Sequence, residues 1–204
     1  MRSDALDADA ASLLSFWFGD ADVAAPIAPS SMGRWFRHDP AFDATLRERF
    51  GAHVERAARD ELVEWDSTAP GALARVLLLD QLPRNLYRND ARPFAADTLA
   101  REAADRSLAR GFDREVSTLA RAFFYLPYEH GESVAAQDRA VALFEALAAS
   151  APPEVAEAAE SMRRYAHAHR DVITRFGRFP HRNASLGRES TPEEVAWLQA
   201  GGGF

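Results

Sequence analysis

The sequence predicts an all-α protein, and two observations carry that prediction. Nearly every segment repeats its apolar residues at the 3.6-residue period of a helix, and no stretch shows the alternation of a half-buried strand. Helix start and stop signals recur along the chain, such as Asp39-Pro40 before one segment and Gly111 after another. We therefore expect antiparallel helix pairs joined by short loops, arranged as one bundle or as a short stack of hairpins.

The first half of the chain contains four predicted helices. Gly19 ends the first helix, and Asp39 with Pro40 supplies the cap and first turn of the second. The third follows a cap at Ser67 or Thr68 and ends at Pro83; its apolar residues are nearly continuous, which is typical of a central helix. The first helix is predicted over 9–18, the second over 40–59 and the fourth over 94–110. A surface loop is predicted over 20–32.

The second half contains another four predicted helices. Asp113 caps a helix that Pro127 stops, and a further helix spans 132–149. Pro152-Pro153 restarts the chain into a helix that ends near Phe176. A capping box that begins at Thr191 starts a last short helix. We expect one domain over 1–204, with its core at about 9–198 and a flexible tail at 199–204.

The composition excludes several classes of chemistry. The chain has 204 residues and no cysteine, so disulfides, thiolate metal sites and cysteine nucleophiles are excluded. All 24 basic residues are arginine, which rules out lysine Schiff-base chemistry and a phosphate-loop lysine. A net charge of −7 disfavours general nucleic-acid binding. Without a basic leader or a run of about 20 apolar residues, we expect no membrane segment and a soluble, cytoplasmic protein.

Positive charge is concentrated between Arg163 and Arg188. This segment holds seven arginines and one acid, Asp171, so its formal charge is +6 in a chain of net −7. Forked guanidinium donors match carboxylate and phosphate groups, so the segment predicts a site for an anion. With 31 acidic residues in the chain, internal ion pairs could also neutralise every one of these arginines.

Three polar residues fall on predicted apolar helix faces. They are Asp80, Gln137 and His169, and we expect each to be buried. A buried carboxylate needs a cation or hydrogen-bond donors, so Asp80 could form a salt bridge to Arg84 or to a distant arginine. A structural ion pair and a functional site are both consistent with this pattern.

His130 and Glu132 lie in a tight turn after Pro127. An imidazole beside a carboxylate can form an oriented acid–base pair. Alternatively, Glu132 caps or neutralises the start of the next helix, where acidic residues are favoured.

Four segments together resemble a widespread bacterial domain of unknown function, DUF924. They are LLLDQLPRNLYR (77–88), FAADTLAREAADRSLARGFD (94–113), FFYLPYEHGE (123–132) and HRDVITRFGRFPHRNASLGRESTPEE (169–194). Gly131 departs from the serine expected in that family, and Leu82 replaces a more usual phenylalanine. The resemblance implies hairpins stacked as a TPR-like right-handed array, and no activity. It also implies that these polar positions match the family's motifs: Asp80, Arg84, Asn85, His130, Glu132, Gln137, His169, Arg175, Arg178, His181, Arg182, Asn183 and Arg188.

These residues support a first hypothesis, a pocket for a small anionic carboxylate or phosphate. We expect His130 to act as acid or base with Glu132 orienting it, and the loop arginines to hold the anion, with directional donors from His181 and Asn183. A second hypothesis is a helical scaffold that binds an acidic peptide. Solvent exposure of Trp35 or Tyr128 would favour this hypothesis. The third hypothesis is a polar network without a ligand.

Two further points stay open at this stage. His130, Glu132 and His169 are acceptable metal ligands, but their spacing matches no metal motif, so we predict no metal and no cofactor. The sequence decides neither the oligomeric state nor whether the protein is an enzyme.

Overall fold

The computed structural model describes residues 6–88 and 90–203, and within these ranges the chain forms helices and no strand. The predicted all-α class is confirmed; a TPR-like order of the hairpins stays a prediction, as does the flexible tail, whose last residue, Phe204, lies outside the described ranges. The α-helices are α1 Ala8–Phe18, α2 Met32–Phe36, α3 Pro40–Ala58, α4 Ala69–Val76, α5 Leu82–Leu86, α6 Arg92–Ala95, α7 Asp97–Ala109, α8 Thr118–Glu129, α9 Val134–Ala149, α10 Ala156–Phe176 and α11 Pro192–Gln199.

Most predicted helix ends are confirmed because local chemistry decides them. The Asp39 carboxylate accepts hydrogen bonds from the first backbone N–H groups of α3, and Thr68 accepts one from α4. Gly19 adopts a φ of 95°, the left-handed conformation that ends α1. Thr191 and Glu194 form the predicted capping box at the start of α11.

The core is centred on α4, as its continuous apolar sequence predicts. Leu73, Val76 and Leu77 have no exposed surface, and α4 contacts α1, α7 and α8. An aromatic cluster closes one end of this core, where the rings of Phe18 and Trp35 pack edge-on against Phe123. Each fully buried side chain of this size contributes about 1.5–3 kcal/mol to folding.

The prediction that Pro83 ends the third helix is wrong. The chain continues from α4 through a π-helical turn, Leu77–Gln81, directly into α5. In this turn the N–H of Leu82 donates to the carbonyl of Leu77, five residues back. A π turn changes the hydrogen-bond register just before a proline that cannot donate, and such turns are frequent at functional sites. The turn carries Asp80.

Three other helix boundaries differ from the prediction. Helix α8 continues through Pro127 to Glu129. The predicted stop after Leu126 is therefore wrong. Asp113 does not cap α8; Ser117 precedes that helix, and the Asp113 carboxylate accepts a hydrogen bond from Tyr125 instead. The predicted helix over 94–110 is interrupted, since α6 ends before Ala96 and α7 follows.

The carboxyl-terminal part of the fold brings a polar loop back to the turn between α8 and α9. That turn comprises residues 130–133 and joins α8 to α9. Helix α10 packs against both of these helices. α10 ends at Gly177, with φ 69°, and the following loop reaches α11 through a short 3₁₀ turn, Pro180–Arg182. Among the described helices, none combines the length and hydropathy needed to cross a membrane.

Candidate functional site

A cavity of about 340 Å³ lies where α6, α7, the 130–133 turn and the carboxyl-terminal loop meet. His130, Glu132 and Arg182, three residues singled out from the sequence, contribute to its wall. The predicted convergence of the loop with the imidazole of residue 130 is therefore present in part. The full lining of this His130 cavity is Phe94, Asp97, Arg101, His130, Glu132, Ser133, Arg182 and Leu186.

Asp80 and His130 form a buried pair at the inner side of the cavity. Nδ1 of His130 lies 2.7 Å from Oδ1 of Asp80, which is fully buried, whereas the imidazole is 14% exposed. Burial acts to raise the pKa of Asp80, but His130, Arg84 and a hydrogen bond from Gln81 hold it well below its usual range. An ionised Asp80 can only accept, so Nδ1 carries the proton and Nε2 has the free lone pair.

Arg84 connects this pair to α7. Its guanidinium lies 3.4 Å from Oδ1 of Asp80 and donates to Oδ1 of Asp97 at 2.9 Å and to the backbone carbonyl of Asp80. Burial, followed by the positive charge of Arg84, lowers the pKa of His130. The imidazole is therefore neutral at neutral pH, in the form that accepts a proton.

Arg182 is a buried cation with few acceptors. Its guanidinium lies between the rings of Phe94 and Phe179, at 4.6 and 4.4 Å from their centroids, and its side chain is 5% exposed. Nη1 donates to the carbonyl of His130 at 3.1 Å and approaches Asp97 at 3.4 Å, but Nε is buried without a partner among the described residues. Burial and nearby Arg84 lower the pKa of Arg182 to about 10.

Glu132 is engaged elsewhere, so the prediction that it orients His130 is wrong. Both carboxylate oxygens accept from Arg188, at 2.6 and 2.9 Å, and one also accepts from the backbone N–H of Phe179. Burial opposes ionisation, yet these contacts lower the pKa of Glu132. Glu132 does not cap α9 either, since Ser133 does so. The carboxylate that contacts His130 is Asp80, fifty residues earlier in the chain.

The glycine at position 131 has a packing explanation. A Cβ there would lie 2.7 Å from Cβ of Ala136 and 3.1 Å from the carbonyl of Tyr128. Both atoms belong to the helices that flank the turn, so neither can move away easily. With alanine at position 136, the serine expected at position 131 from the family resemblance would be strained.

Glu129, Gln137 and His169 form a second group of buried polar side chains near the Asp80–His130 pair. Gln137 and His169 are buried, as predicted, and Nε2 of Gln137 donates to the carbonyls of Glu129 and Gly131, which fixes the turn. Oε1 of Glu129 lies 3.5 Å from Nδ1 of His169, and burial together with nearby Asp80 raises the pKa of Glu129 to about 8. Burial lowers the pKa of His169 to about 3, so both side chains are mainly neutral.

Of the five arginines predicted to bind a ligand, Arg182 lines the cavity, whereas Arg84, Arg175, Arg178 and Arg188 do not. Arg178 forms a bidentate pair with Glu194 of α11, at 2.7 and 2.8 Å, and holds the pKa of Glu194 at about 2. Arg175 pairs with exposed Glu193 at 2.8 Å. Their acidic partners come from the same carboxyl-terminal region, so we leave both arginines out of the anion site.

We call Glu132, Arg178, Asn183, Arg188 and Glu194 the carboxyl-terminal lock. Asn183 donates to Glu194 at 3.3 Å and accepts from Nε of Arg188 at 3.0 Å, which links the two ion pairs. Each charged group of the lock has an opposite charge within hydrogen-bond distance. This part of the predicted constellation forms an internal network.

Asn85 and His181 also differ from the predicted site. Asn85 donates to Asp43 of α3 at 2.8 Å, in a separate cluster with Arg88, and so ties α5 to α3. His181 is exposed, with its ring 5.6 Å from that of Phe179, and is not part of the cavity lining.

Sequence reasoning missed Phe94, Asp97 and Arg101, which supply the α6–α7 side of the cavity. Asp97 and Arg101 are four residues apart and share a helix face, and Phe94 precedes them by three. This spacing was visible in the sequence, but a helix predicted to run unbroken from 94 gave no reason to assign that face to a site.

No metal site is formed by the residues described. Across 6–88 and 90–203, no group of three or more histidine, cysteine, aspartate or glutamate side chains is arranged to hold a metal ion. Glu132, one of the ligands considered from the sequence, is occupied by Arg188, and His169 contacts the carbonyl of Tyr165 at 2.8 Å.

Comparisons with known proteins agree with the motif resemblance. The family model described as bacterial protein of unknown function (DUF924) matches residues 13–202. A solved structure from Agrobacterium tumefaciens, described as a protein of unknown function, is 42% identical. The match covers 94% of this chain and 97% of that one, with a TM-score of 0.79. No curated protein sequence matches the chain.

Proposed function

The chain belongs to the DUF924 family, bacterial proteins of unknown function, and from that premise we propose that its His130 cavity binds a small anion and performs acid–base chemistry on it. Arg182 holds the anion, His130 accepts or returns a proton, and Asp80 orients the imidazole. This assignment keeps the cation-and-imidazole arrangement that the sequence suggests, with Asp80 in place of Glu132 as the orienting carboxylate.

The observation that carries the proposal is the state of Arg182. An arginine that is 5% exposed needs acceptors, yet Nε has none among the described residues and the nearest carboxylate is 3.4 Å away. A buried donor without a partner costs about 1–3 kcal/mol. The exposed 5% of the Arg182 side chain lines the cavity, where a ligand carboxylate or phosphate would give this poorly satisfied cation a further acceptor.

The Asp80–His130 pair supports the acid–base part of the proposal. Because Nδ1 donates to Asp80, Nε2 is the nitrogen that is left for a proton of the ligand or of a water molecule. When Nε2 accepts that proton, the buried carboxylate stabilises the resulting imidazolium. General acid–base catalysis of this kind typically contributes a factor of about 10²–10⁴ to rate.

A peptide-binding scaffold is the weaker alternative. Trp35 and Tyr128, whose exposure would have favoured it, are 3% and 5% exposed. Tyr128 instead donates its hydroxyl to Asp105 at 2.6 Å. A volume of about 340 Å³ lies at the lower end of the range found for small-molecule sites.

Ligand-dependent thermal stability tests the proposal, with small carboxylates and inorganic phosphate as probes. We expect at least one probe to stabilise the wild-type protein, by about 2.7 kcal/mol at one hundred times its dissociation constant. Arg182→Met should abolish this effect, whereas Arg175→Met, the same change at an arginine outside the cavity, should leave it intact. If Arg182→Met responds like the wild type, or no probe stabilises the wild type, the proposed function is wrong.

A further inference from the structure

The charge balance around the His130 cavity indicates the class of anion that fits. Three carboxylates belong to the cavity and its ion pairs, and all three are committed to protein donors. Asp80 contacts His130 and Arg84, and Asp97 contacts Arg84 and Arg182. Glu132 is held by Arg188.

Four arginines belong to the cavity and these ion pairs, so the positive charges outnumber the three carboxylates by one. Arg84, Arg182 and Arg188 each approach at least one of the acids. Arg101 approaches none of them: its hydrogen bond goes to Thr98 of its own helix, at 3.2 Å, and it forms no ion pair within residues 6–88 and 90–203. His130 adds no charge in its neutral form.

Arg101 is placed to act on a ligand beside His130. It lines the cavity, and Nη1 lies 3.7 Å from the position a Cβ of Gly131 would occupy, next to the imidazole in the chain. Arg182 is the inner, buried cation of the same cavity. Among the residues described, the one carboxylate that contacts either of these two arginines is Asp97, whose Oδ2 lies 3.4 Å from Nη1 of Arg182.

We propose that the ligand is a small monocarboxylate, and that Arg101 is the residue that selects this charge. The proposal rests on the function proposed above and narrows it to one substrate class. A single negative charge balances the excess of one positive charge. The apolar side chains of Phe94 and Leu186 on the same wall suit a short carbon body attached to the carboxylate.

A dianion would be bound only at a cost to the proposed chemistry. No arginine of the cavity is left to balance the second negative charge. That charge would therefore favour protonation of His130, the basic member of the Asp80–His130 pair. The charged groups that act on His130 are Asp80, Arg84 and Arg182, and two further imidazoles, those of His169 and His181, interact with its charge. A protonated His130 can no longer act as a base, so dianions should behave as inhibitors rather than substrates.

Calorimetric titration with butyrate and succinate tests this inference, since the two probes have the same carbon count and differ by one carboxylate. Titrations at pH 7.5 in two buffers of different ionisation enthalpy report the protons taken up on binding. We expect butyrate to bind at least tenfold more tightly than succinate without net proton uptake, and succinate to bind with uptake of about one proton.

Substitutions of Arg101 provide the matched variants. Arg101→Met should weaken butyrate binding at least tenfold, Arg101→Glu should abolish it, and Arg101→Lys should restore most of it. Because Arg101 makes one hydrogen bond within its own helix, the thermal midpoints of these variants without ligand should lie close to that of the wild type. A change in binding with an unchanged midpoint separates a ligand contact from a structural role.

Three results would overturn the inference. Succinate that binds as tightly as butyrate, without proton uptake and in an Arg182-dependent way, contradicts monoanion selectivity while the proposed function stands. Butyrate binding that is unchanged in Arg101→Met contradicts the role of Arg101. Absence of saturable butyrate binding removes this inference, while stabilisation by phosphate or another carboxylate that is lost in Arg182→Met leaves the proposed function standing.

Discussion

The carboxyl-terminal lock and the His130 cavity are built from the same residue types but differ in how far their charges are satisfied. In the lock, Arg178 and Glu194 form a bidentate pair, and Arg188 does the same with Glu132. In the cavity, Arg182 has a buried Nε without a partner among the described residues, and Arg101 forms no ion pair with any of them. The lock is closed to a ligand by its own acids, and the cavity is not.

This difference shows that residue type alone does not mark an anion site. An arginine whose donors already meet a carboxylate would have to break that pair before binding a ligand, and breaking a buried pair costs about 3–5 kcal/mol. An arginine with unsatisfied buried donors gains from a ligand. Under the proposed function, saturation of the guanidinium groups separates structural from ligand-binding arginines in this fold.

The largest expected effect on stability is at the lock. Arg178→Ala leaves the Glu194 carboxylate, which is 2% exposed, without its bidentate partner, so we expect a larger loss of unfolding free energy than in any other variant proposed here. Arg175→Ala breaks an exposed pair and should cost less than about 1 kcal/mol. Urea unfolding measures both. Equal losses in the two variants would show that the lock does not stabilise the carboxyl-terminal region.

Glu129 should reveal itself through the pH dependence of stability. Its folded-state pKa, about 8, lies above the ordinary value of 4.5, so the folded protein retains a proton that the unfolded chain releases. This group therefore lowers stability as pH rises from about 4.5 to 8, by a few kcal/mol in all. Glu129→Gln, which stays neutral, should be increasingly more stable than the wild type over that interval.

Unfolding free energies of both proteins at pH 5 and pH 8 provide the measurement. The advantage of Glu129→Gln should be small at pH 5 and largest at pH 8. A difference that does not change with pH would mean that Glu129 titrates normally in the folded state.

A smaller effect is expected at the turn that carries His130. Gly131→Ser places a Cβ 2.7 Å from Cβ of Ala136, and overpacking of this kind costs about 1–3 kcal/mol. The double variant Gly131→Ser with Ala136→Gly should recover part of that loss in a thermal unfolding experiment. Single and double variants that are equally unstable would show that the contact with Ala136 is not the cause.

Only a small effect on stability is expected at Arg182. Arg182→Met removes a poorly satisfied cation and leaves an apolar chain between Phe94 and Phe179, so the free energy of unfolding should change by about 1 kcal/mol or less. The unfolding free energies of Arg182→Met and Arg178→Ala should be compared under the same urea conditions. A loss at Arg182 as large as that at Arg178 would mean that the cavity is a second lock.

The sequence predicts what local patterns determine. The burial of Asp80, Gln137 and His169 follows from helical spacing, and the caps at Asp39 and Thr191 follow from side-chain chemistry. The helix ends predicted at Pro83 and Pro127 are wrong because neighbouring structure can keep a chain helical past a proline. A π turn precedes Pro83, and α8 continues past Pro127 among buried neighbours.

Partner choice could not be predicted, because it depends on contacts between distant segments. His130 meets Asp80 rather than Glu132, two residues away, since the turn directs Glu132 towards Arg188. The division of the loop arginines between lock and cavity likewise depends on where Glu194 of α11 returns to the loop.

Arginine side-chain NMR during a butyrate titration tests the central contrast most directly, because Nε–Hε signals report each guanidinium separately. We predict saturable shifts of the signals of Arg182 and Arg101 and unchanged signals for Arg178 and Arg188. Shifts at Arg178 or Arg188 with none at Arg182 would contradict the account, because the anion would then enter the lock instead of the cavity.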